Sequence, residues 1–594
     1  MTLTTDAGPL AAEGRTRGNP ATRRRIAFAG LAGLTWAAVM ALAAAALAPG
    51  GYDAADVVTL VLLAAYLPWS VFCFWNALIG FLIMRFARDP LALTCPPAAA
   101  VRGDEPITAT TALAMCVRNE DTDRVFRNLG LLADDLKRTG TADRFRLYVL
   151  SDTNRPEIAA AEEAAVAALR SRLGDSPEVH YRRRTTNPGF KAGNIKDFLE
   201  RWGGDNDFAL VLDADSYMAA PQILAMVRIM QASPRLGILQ SLTVGLPSTS
   251  PLARLFQFGM RLGMRSYTLG SAWWHADCGP YWGHNALIRT AAFAEHCHLP
   301  RLAGTGPLSG DIMSHDQVEA VLMRKGGYEV RVIPAEGGSY EENPPTLIEF
   351  IRRDMRWCMG NTQYWKLLGL PGILPASRFQ LVLAVAMFVA SPAYLGMWGL
   401  TLGQALAKRG TDWLAAGPAL GLVALMGVMM FAPKIMTGID VLFRPAARAS
   451  FGGGLRFAVG FVTETIFALL LTPISMLSHT LMMGALLFGR TVGWTGQVRD
   501  AHAVPWGEAF ARLWPHTLVG AVASAGLLAL SWEAFLWSTP LFLGLLLAVP
   551  FTVLTSSPAF GRLMTRLGWC RIPEEVVVPE ELKPLGLPAL AGHA

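Results

Sequence analysis

Seven apolar stretches, near residues 26–48, 57–84, 379–403, 413–432, 457–489, 514–532 and 535–555, surround one block of ordinary composition at about 85–378. All but 457–489 come close to the roughly 20 residues that a helix needs to cross the hydrocarbon core of a bilayer. Such a chain must set helices in lipid and fold its middle block separately. Composition agrees, since 52% of the 594 residues are hydrophobic and only 16% charged, too apolar for an ordinary soluble enzyme.

Loop charge orients the spans. Arg15, Arg17, Arg23, Arg24 and Arg25 precede the first stretch, while the next short loop carries Asp53 and Asp56 and no base. By the positive-inside rule the N-terminus and the 85–378 block are cytoplasmic. Lys434, Arg444, Arg448 and Arg456 mark a second inner loop, Arg490, Arg499 and Arg512 a third, and Arg562, Arg566 and Arg571 an inner C-terminus. Segment 457–489 is long for one crossing, and keeping both its flanks inside requires it to enter and return, with Pro473 as the turn. The expectation is eight crossings, two before the block and six after. A re-entrant hairpin keeps the same parity. Lys408 and Arg409 fall outside in this scheme and oppose it. The domains are then a tail at 1–25, two spans within 26–84, a cytoplasmic domain at 85–378, six crossings within 379–555 with an inner loop at 490–513, and a tail at 556–594. The Pro- and Glu-rich stretch after Pro573 is expected to dock loosely or to be disordered.

The net charge of +6 is modest and its arginines cluster beside apolar runs, which suits membrane orientation and lipid contact rather than nucleic acid. The seven cysteines are widely spaced with no CxxC, which argues against structural zinc and a disulfide framework and for reduced thiols. The first apolar stretch is longer than a signal-peptide core and is read as a retained span.

Within the block, strands at 111–117, 145–151, 178–182 and 208–213 alternate with helices from about 121, at 156–173 and near 191–202. This alternation predicts an α/β domain with a mostly parallel sheet and helices on both faces. Ligands of such sheets bind beyond the carboxyl ends of the strands. Asn119, Glu120, Asp152, Asp213 and Asp215 all fall there.

Four short stretches carry candidate chemistry. Asp213 and Asp215 can hold a divalent cation whose octahedron is completed by water and a diphosphate, although Asp-x-Asp alone also suits a solvated turn. "NPGFKAGNIKDF" (187–198) places Lys191 at a helix start, where phosphates bind; a plain capped helix is the alternative. In "SGDIMSHDQVEA" (309–320), Asp316 suits a general base, and with Glu319 it also has capping-box spacing. "IRRDMRWCMGNTQYW" (351–365) is an amphipathic helix whose arginines suit either lipid headgroups or a diphosphate.

The order of these stretches is more specific than any one of them. It resembles the processive family 2 glycosyltransferases, the group of cellulose, chitin and hyaluronan synthases. Two departures narrow the match: Arg353-Asp354-Met355-Arg356-Trp357 stands where Gln-x-x-Arg-Trp is common, and Ser314-His315-Asp316 where Thr-Glu-Asp is. "AMCVRNED", "VLSDT", "KAGNIKDF", "VLDADSYM", "YWGHNALIR", "SHDQVEA" and "RRDMRWCMGN" together look like the OpgH (MdoH) family, glucans biosynthesis glucosyltransferase H. Some relatives have a far longer N-terminal extension, whose functions are not carried over. The tail is too short for a cyclic-di-GMP-binding barrel, so "RLMTR" (562–566) is assigned to membrane-surface charge.

The resemblance implies a GT-A (Rossmann-like) cytoplasmic glycosyltransferase domain on a polytopic helical membrane domain in the inner membrane. It implies an inverting polymerisation of UDP-glucose into the β-1,2-linked backbone of osmoregulated periplasmic glucans, with export. Asn119, Glu120 and Asp152 then line the uridine pocket, and Lys191 and Asn194 support the nucleotide. Asp213 and Asp215 hold Mg2+ or Mn2+, and Asp316 deprotonates the acceptor. Gly283, His284, Asn285 and Trp357 shape the acceptor site. Arg353 and Arg356 flank the diphosphate, and loop 489–500 is a gate or a plain connector. Acyl carrier protein and periplasmic glucan-modifying proteins are implied partners. The alternatives are a synthase of another glucan or polysaccharide, a transferase adding one sugar to a lipid phosphate, and a transporter or receptor with an inactive nucleotide-binding domain.

Overall fold

The computed structural model describes residues 20–491 and 498–590. Among the described residues, ten strands form two sheets: β1 (Thr111–Val117), β2 (Phe145–Ser151), β3 (Glu178–Arg183), β4 (Phe208–Asp213), β5 (Ser216–Met218), β6 (Leu236–Ser241), β7 (Val244–Gly245), β8 (Ala286–Arg289), β9 (Glu329–Ile333) and β10 (Ser339–Glu341). The larger sheet runs β3-β2-β1-β4-β8-β6-β9, and β8 alone is antiparallel to its neighbours. Alternating side chains give it two apolar faces. Leu113 and Met115 of β1 join a core with Leu129, Val166 and Ile223, while Ala112 and Ala114 join Phe198, Phe293 and Met323 on the other side. The register pairs Cys116 with Asp213 and Val117 with Ser151, so the β1, β2 and β4 ends lie side by side. The expected mostly parallel sheet is the one observed. The small sheet, β5-β10-β7, sits just beyond Asp213 and carries Glu341 at the end of β10.

Among the described residues, six helices are long and apolar enough to cross a membrane: Pro20–Leu47, Ala54–Phe86, Pro375–Ala407, Ala416–Phe443, Gly454–Leu487 and Trp506–Leu530. Trp532–Leu546 and Ala548–Thr555, bent by 63° at their junction, can form one more. The hairpin expected in 457–489 is corrected: Gly454–Leu487 is one continuous 34-residue helix with Pro473 inside it. At 1.5 Å per residue it is about 51 Å long. Proline removes one N–H from a helical ladder, and a long apolar helix tolerates that loss where its neighbours pack. Both halves of this helix rest on elements of the α/β domain. A Cβ on Gly460 would lie 2.9 Å from Phe258 in the Pro251–His275 helix, and His479 meets Asp354 in the Leu347–Thr362 helix. Leu455, Val462, Ile466 and Leu487 remain exposed on it.

Two further sequence readings resolve here. Lys408, one of the two bases that opposed the topology, pairs with Asp53 at 2.7 Å and with Asp56 at 3.6 Å, so its charge is offset by the loop on its own side. The tail does not dock loosely. Leu582, Leu585 and Leu590 are buried against Tyr217, Val244 and Tyr340 of the small sheet. Glu575 and Glu574 form ion pairs with Arg254 and Arg261 of the Pro251–His275 helix. Glutamates that looked solvated are thus the buried partners of arginines over 300 residues away.

Candidate active site

Asp213 closes β4, and the turn to β5 carries Asp215. Lys191, in the first turn of the Phe190–Trp202 helix, forms an ion pair with Asp213 and donates to the Gly283 carbonyl at 2.7 Å. Burial raises the Asp213 carboxyl, but Lys191, His284 and Arg499 outweigh it and hold the group below its ordinary value. Gly283 has φ +80°, a left-handed conformation suited to glycine, and a Cβ there would stand 3.3 Å from the Asp316 Cβ. The Gly283 loop therefore joins Lys191, with its partner Asp213, to Asp316.

Asp316 is the first residue of the Asp316–Lys325 helix. The expected capping box with Glu319 is absent: the N-cap is His315, without a side-chain cap, and Glu319 instead meets His315 Nδ1 at 2.7 Å. Asp316 is thereby spared from capping. Burial pushes its pKa up, and the nearby His315 offsets only part of that rise. Burial lowers His315, but Glu319 overrides it and raises the imidazole. Behind this loop the Leu347–Thr362 helix comes very close, since a Cβ on Gly360 would collide with Ser314 Oγ and lie 2.8 Å from the Ser314 nitrogen. Tyr364 O–H donates to the Ser314 carbonyl at 2.7 Å.

The same helix presents Arg353, Arg356 and Trp357. Arg353 lies over the Trp357 ring at 4.8 Å, and Trp357 is 48% exposed. Arg356 is buried; burial, then Arg353, Arg499 and Arg352, push its pKa down to about 10. Crowding of cations in a low-dielectric pocket is costly unless an anion enters. His284 lies between Ser216 Oγ (3.3 Å) and Glu341 (3.5 Å).

The remaining sequence assignments divide. Glu120 faces Arg499 at 3.5 Å, inside the cleft. Asp152 is buried and gripped through both oxygens by Arg184, at 2.6 and 2.7 Å. Arg184 also donates to the carbonyls of Pro188 (3.1 Å) and Phe190 (2.9 Å), so this pair fixes the loop that delivers Lys191. Asn119 accepts from the nitrogens of Asn154 and Arg155, both at 3.2 Å, and ties the β1 and β2 loops together. Two further candidates are buried. Asn194 is 2% exposed, accepting from Arg182 at 2.7 Å and donating to the Leu150 carbonyl at 2.9 Å; it fastens its helix to the sheet and does not face the cleft. Asn285 is fully buried and donates to Ser339 Oγ and the Tyr340 carbonyl, joining the start of β8 to the small sheet.

Sequence reasoning did not single out Arg499 as a site residue; it counted as loop charge and as part of the 489–500 loop read as a gate or a plain connector. Its guanidinium reaches Asp215 at 2.5 Å and Glu120 at 3.5 Å. Arg124 binds Glu342 at 2.9 Å and also pairs with the neighbouring Asp500. Residues 498–500 of the expected gate thus lie in the cleft; 492–497 fall outside the described residues. The density of basic residues around "GRTVGWTGQVRD" was the one available signal.

A family model described as glycosyl transferase family group 2 matches residues 208–492, and one described as glycosyl transferase family 2 matches residues 113–297. The protein named glucans biosynthesis glucosyltransferase H from Xylella fastidiosa (strain 9a5c) is 34% identical over 545 residues, covering 89% of this chain and 84% of its own length. The chain belongs to the glucans biosynthesis glucosyltransferase H family. The family member from Xanthomonas campestris pv. campestris (strain B100) matches at 34% over 90% of this chain and 84% of its own. The one from Dickeya dadantii (strain 3937) matches at 35% over 88% of this chain, which spans only 63% of that longer relative. Among solved structures, the mannosyltransferase PcManGT from Pyrobaculum calidifontis, in complex with GDP-Man and Mn2+, aligns with 66% of this chain and 99% of its own at a TM-score of 0.40 and 14% identity, too low a score to carry any argument.

Proposed function

We propose that this protein is an inner-membrane processive, inverting glucosyltransferase. It polymerises glucose from UDP-glucose into the β-1,2-linked backbone of osmoregulated periplasmic glucans and passes the chain outward. The observation that carries this reading is the single cleft in which Asp213, Asp215, Lys191 and Asp316 converge beside Arg353, Arg356 and Trp357, within a chain of which 89% matches a glucosyltransferase H.

The chemistry follows from the charges. Asp316 takes the proton of the acceptor hydroxyl, which attacks the anomeric carbon in line and inverts it. Arg353 and Arg356, close together on one helix with Asp215 near Arg353, receive the diphosphate. Trp357 offers its exposed face to a sugar ring. Asp213 and Asp215 are hard oxygen ligands, and no group of three or more His, Cys, Asp or Glu suited to a metal occurs among the described residues. That donor set fits Mg2+ or Mn2+ completed by phosphate oxygens and water, and Arg499 and Lys191 hold the two carboxylates meanwhile. The metal supplies charge neutralisation on the leaving UDP.

The topology we propose takes Gly454–Leu487 along the membrane interface rather than across it, and the bent C-terminal pair as one span. Six crossings then keep the catalytic domain and both termini cytoplasmic. Acyl carrier protein and periplasmic glucan-modifying proteins are the partners proposed from the family. Inverted membrane vesicles given UDP-[14C]glucose and Mg2+ test the reading: β-1,2-linked polymer is expected. Another linkage overturns the product, and no transfer from any nucleotide sugar overturns the enzyme.

A further inference from the structure

Where the catalytic domain meets the membrane helices, three polar side chains from three separate helices form a buried line. Asp354, in the Leu347–Thr362 helix, contacts His479 Nε2 at 2.5 Å. The other ring nitrogen, Nδ1, meets Ser391 Oγ at 2.9 Å, in the Pro375–Ala407 helix. His479 itself lies in Gly454–Leu487, with Phe388 against its ring edge. The preceding residue, Ser478, meets His516 Nε2 at 2.9 Å in Trp506–Leu530. Ser391, Ser478, His479 and His516 are all buried. A polar chain in an apolar bundle is expensive unless every member is paired, and it then fixes one arrangement of the helices.

Its position gives it a task. Asp354 directly follows Arg353 and stands three residues before Trp357, one helical neighbour along the same face. The helix that presents the diphosphate arginine and the acceptor tryptophan is therefore anchored, at that point, to two long apolar helices. We propose that Asp354, His479 and Ser391 are positioning residues that hold Trp357 and Arg353 in line with the path of the growing chain, so that the glucan end stays seated between successive additions. This rests on the polymerase reading above. The line touches none of the reacting groups, so its loss should affect retention of the chain more than donor binding.

The test compares wild type, His479→Ala, His479→Gln, Asp354→Asn and Ser391→Ala in vesicles, reading UDP release, KM for UDP-glucose and product length together. His479→Ala and Asp354→Asn are expected to shorten the glucan by about tenfold while KM stays within about twofold, the split expected when positioning rather than donor binding is lost. The double variant should be no shorter than either single one, because both cut the same line. His479→Gln, whose amide can meet both neighbours, should recover much of the length, and Ser391→Ala should shorten it least. Wild-type lengths in His479→Ala and Asp354→Asn would overturn the inference while leaving the polymerase reading intact. A parallel rise in KM and fall in thermal midpoint across the set, with no rescue by glutamine, would overturn it in favour of plain structural support. No polymer from wild type would overturn both.

Discussion

Asp316 owes its reactivity to where a helix starts. A carboxyl there usually caps its own helix, but His315 takes Glu319 and leaves Asp316 facing Gly283. Burial raises its pKa. A base works only when ionised, so activity should fall as pH drops through this raised value. The acid limb of kcat/KM should accordingly lie above the ordinary carboxylate region near about 4, as a pH–rate profile would show. Arg499 offers a second check. It occupies the cation position beside Asp215, so Arg499→Ala should lower the half-saturating Mg2+ by about threefold, roughly 0.7 kcal/mol for a partly buried pair. A metal titration of UDP release reads it. Most of the acids were legible from the sequence because each follows a strand. The burial of Asn194 and Asn285 was not legible, because a motif shows which residues recur together but not which way each side chain points. Arg499 was missed because its partners lie 284 and 379 residues away.

At the scale of elements, close approach is what sets the site. The Leu347–Thr362 helix can lie against the Ser314 loop only because position 360 has no Cβ. Gly360→Ala would push against the Ser314 nitrogen, which is backbone and cannot swing aside. A kcat loss of about tenfold or more is expected from a small shift of Asp316, with KM for donor little changed, measurable by steady-state UDP release. The alternation of strands and helices was readable because period and length differ between the two. Segment 457–489 was not. Its hydropathy fits a span or an interfacial helix, and Pro473 suggests a turn as readily as a tolerated break. Only the positions of Phe258 and Asp354, from two other helices, decide that it runs unbroken over the catalytic domain.

For the whole molecule, the chain's last described segment closes the structure. Arg254 and Glu575 are both almost wholly buried and hold the tail to the Pro251–His275 helix, which packs closely on the apolar Ala54–Phe86 helix. Removing one partner strands the other charge, so Glu575→Ala should destabilise the protein by about 3–5 kcal/mol, seen as a lower thermal midpoint in detergent. The sequence showed these glutamates only as local acidity, because a buried ion pair spanning the chain leaves no short-range pattern. The division into lipid-facing and polar parts was legible from hydropathy alone, since it depends on composition along the chain and not on contacts across it. The central claim is that one carboxylate, Asp316, activates the acceptor in a cleft built to hold a nucleotide diphosphate. The most direct measurement is the rate of UDP-glucose turnover by Asp316→Asn in vesicles, with donor binding measured alongside. The account predicts a loss of about 10²–10⁴-fold in kcat with donor affinity unchanged, the range set by removing a general base. Turnover within a few-fold of wild type would contradict it.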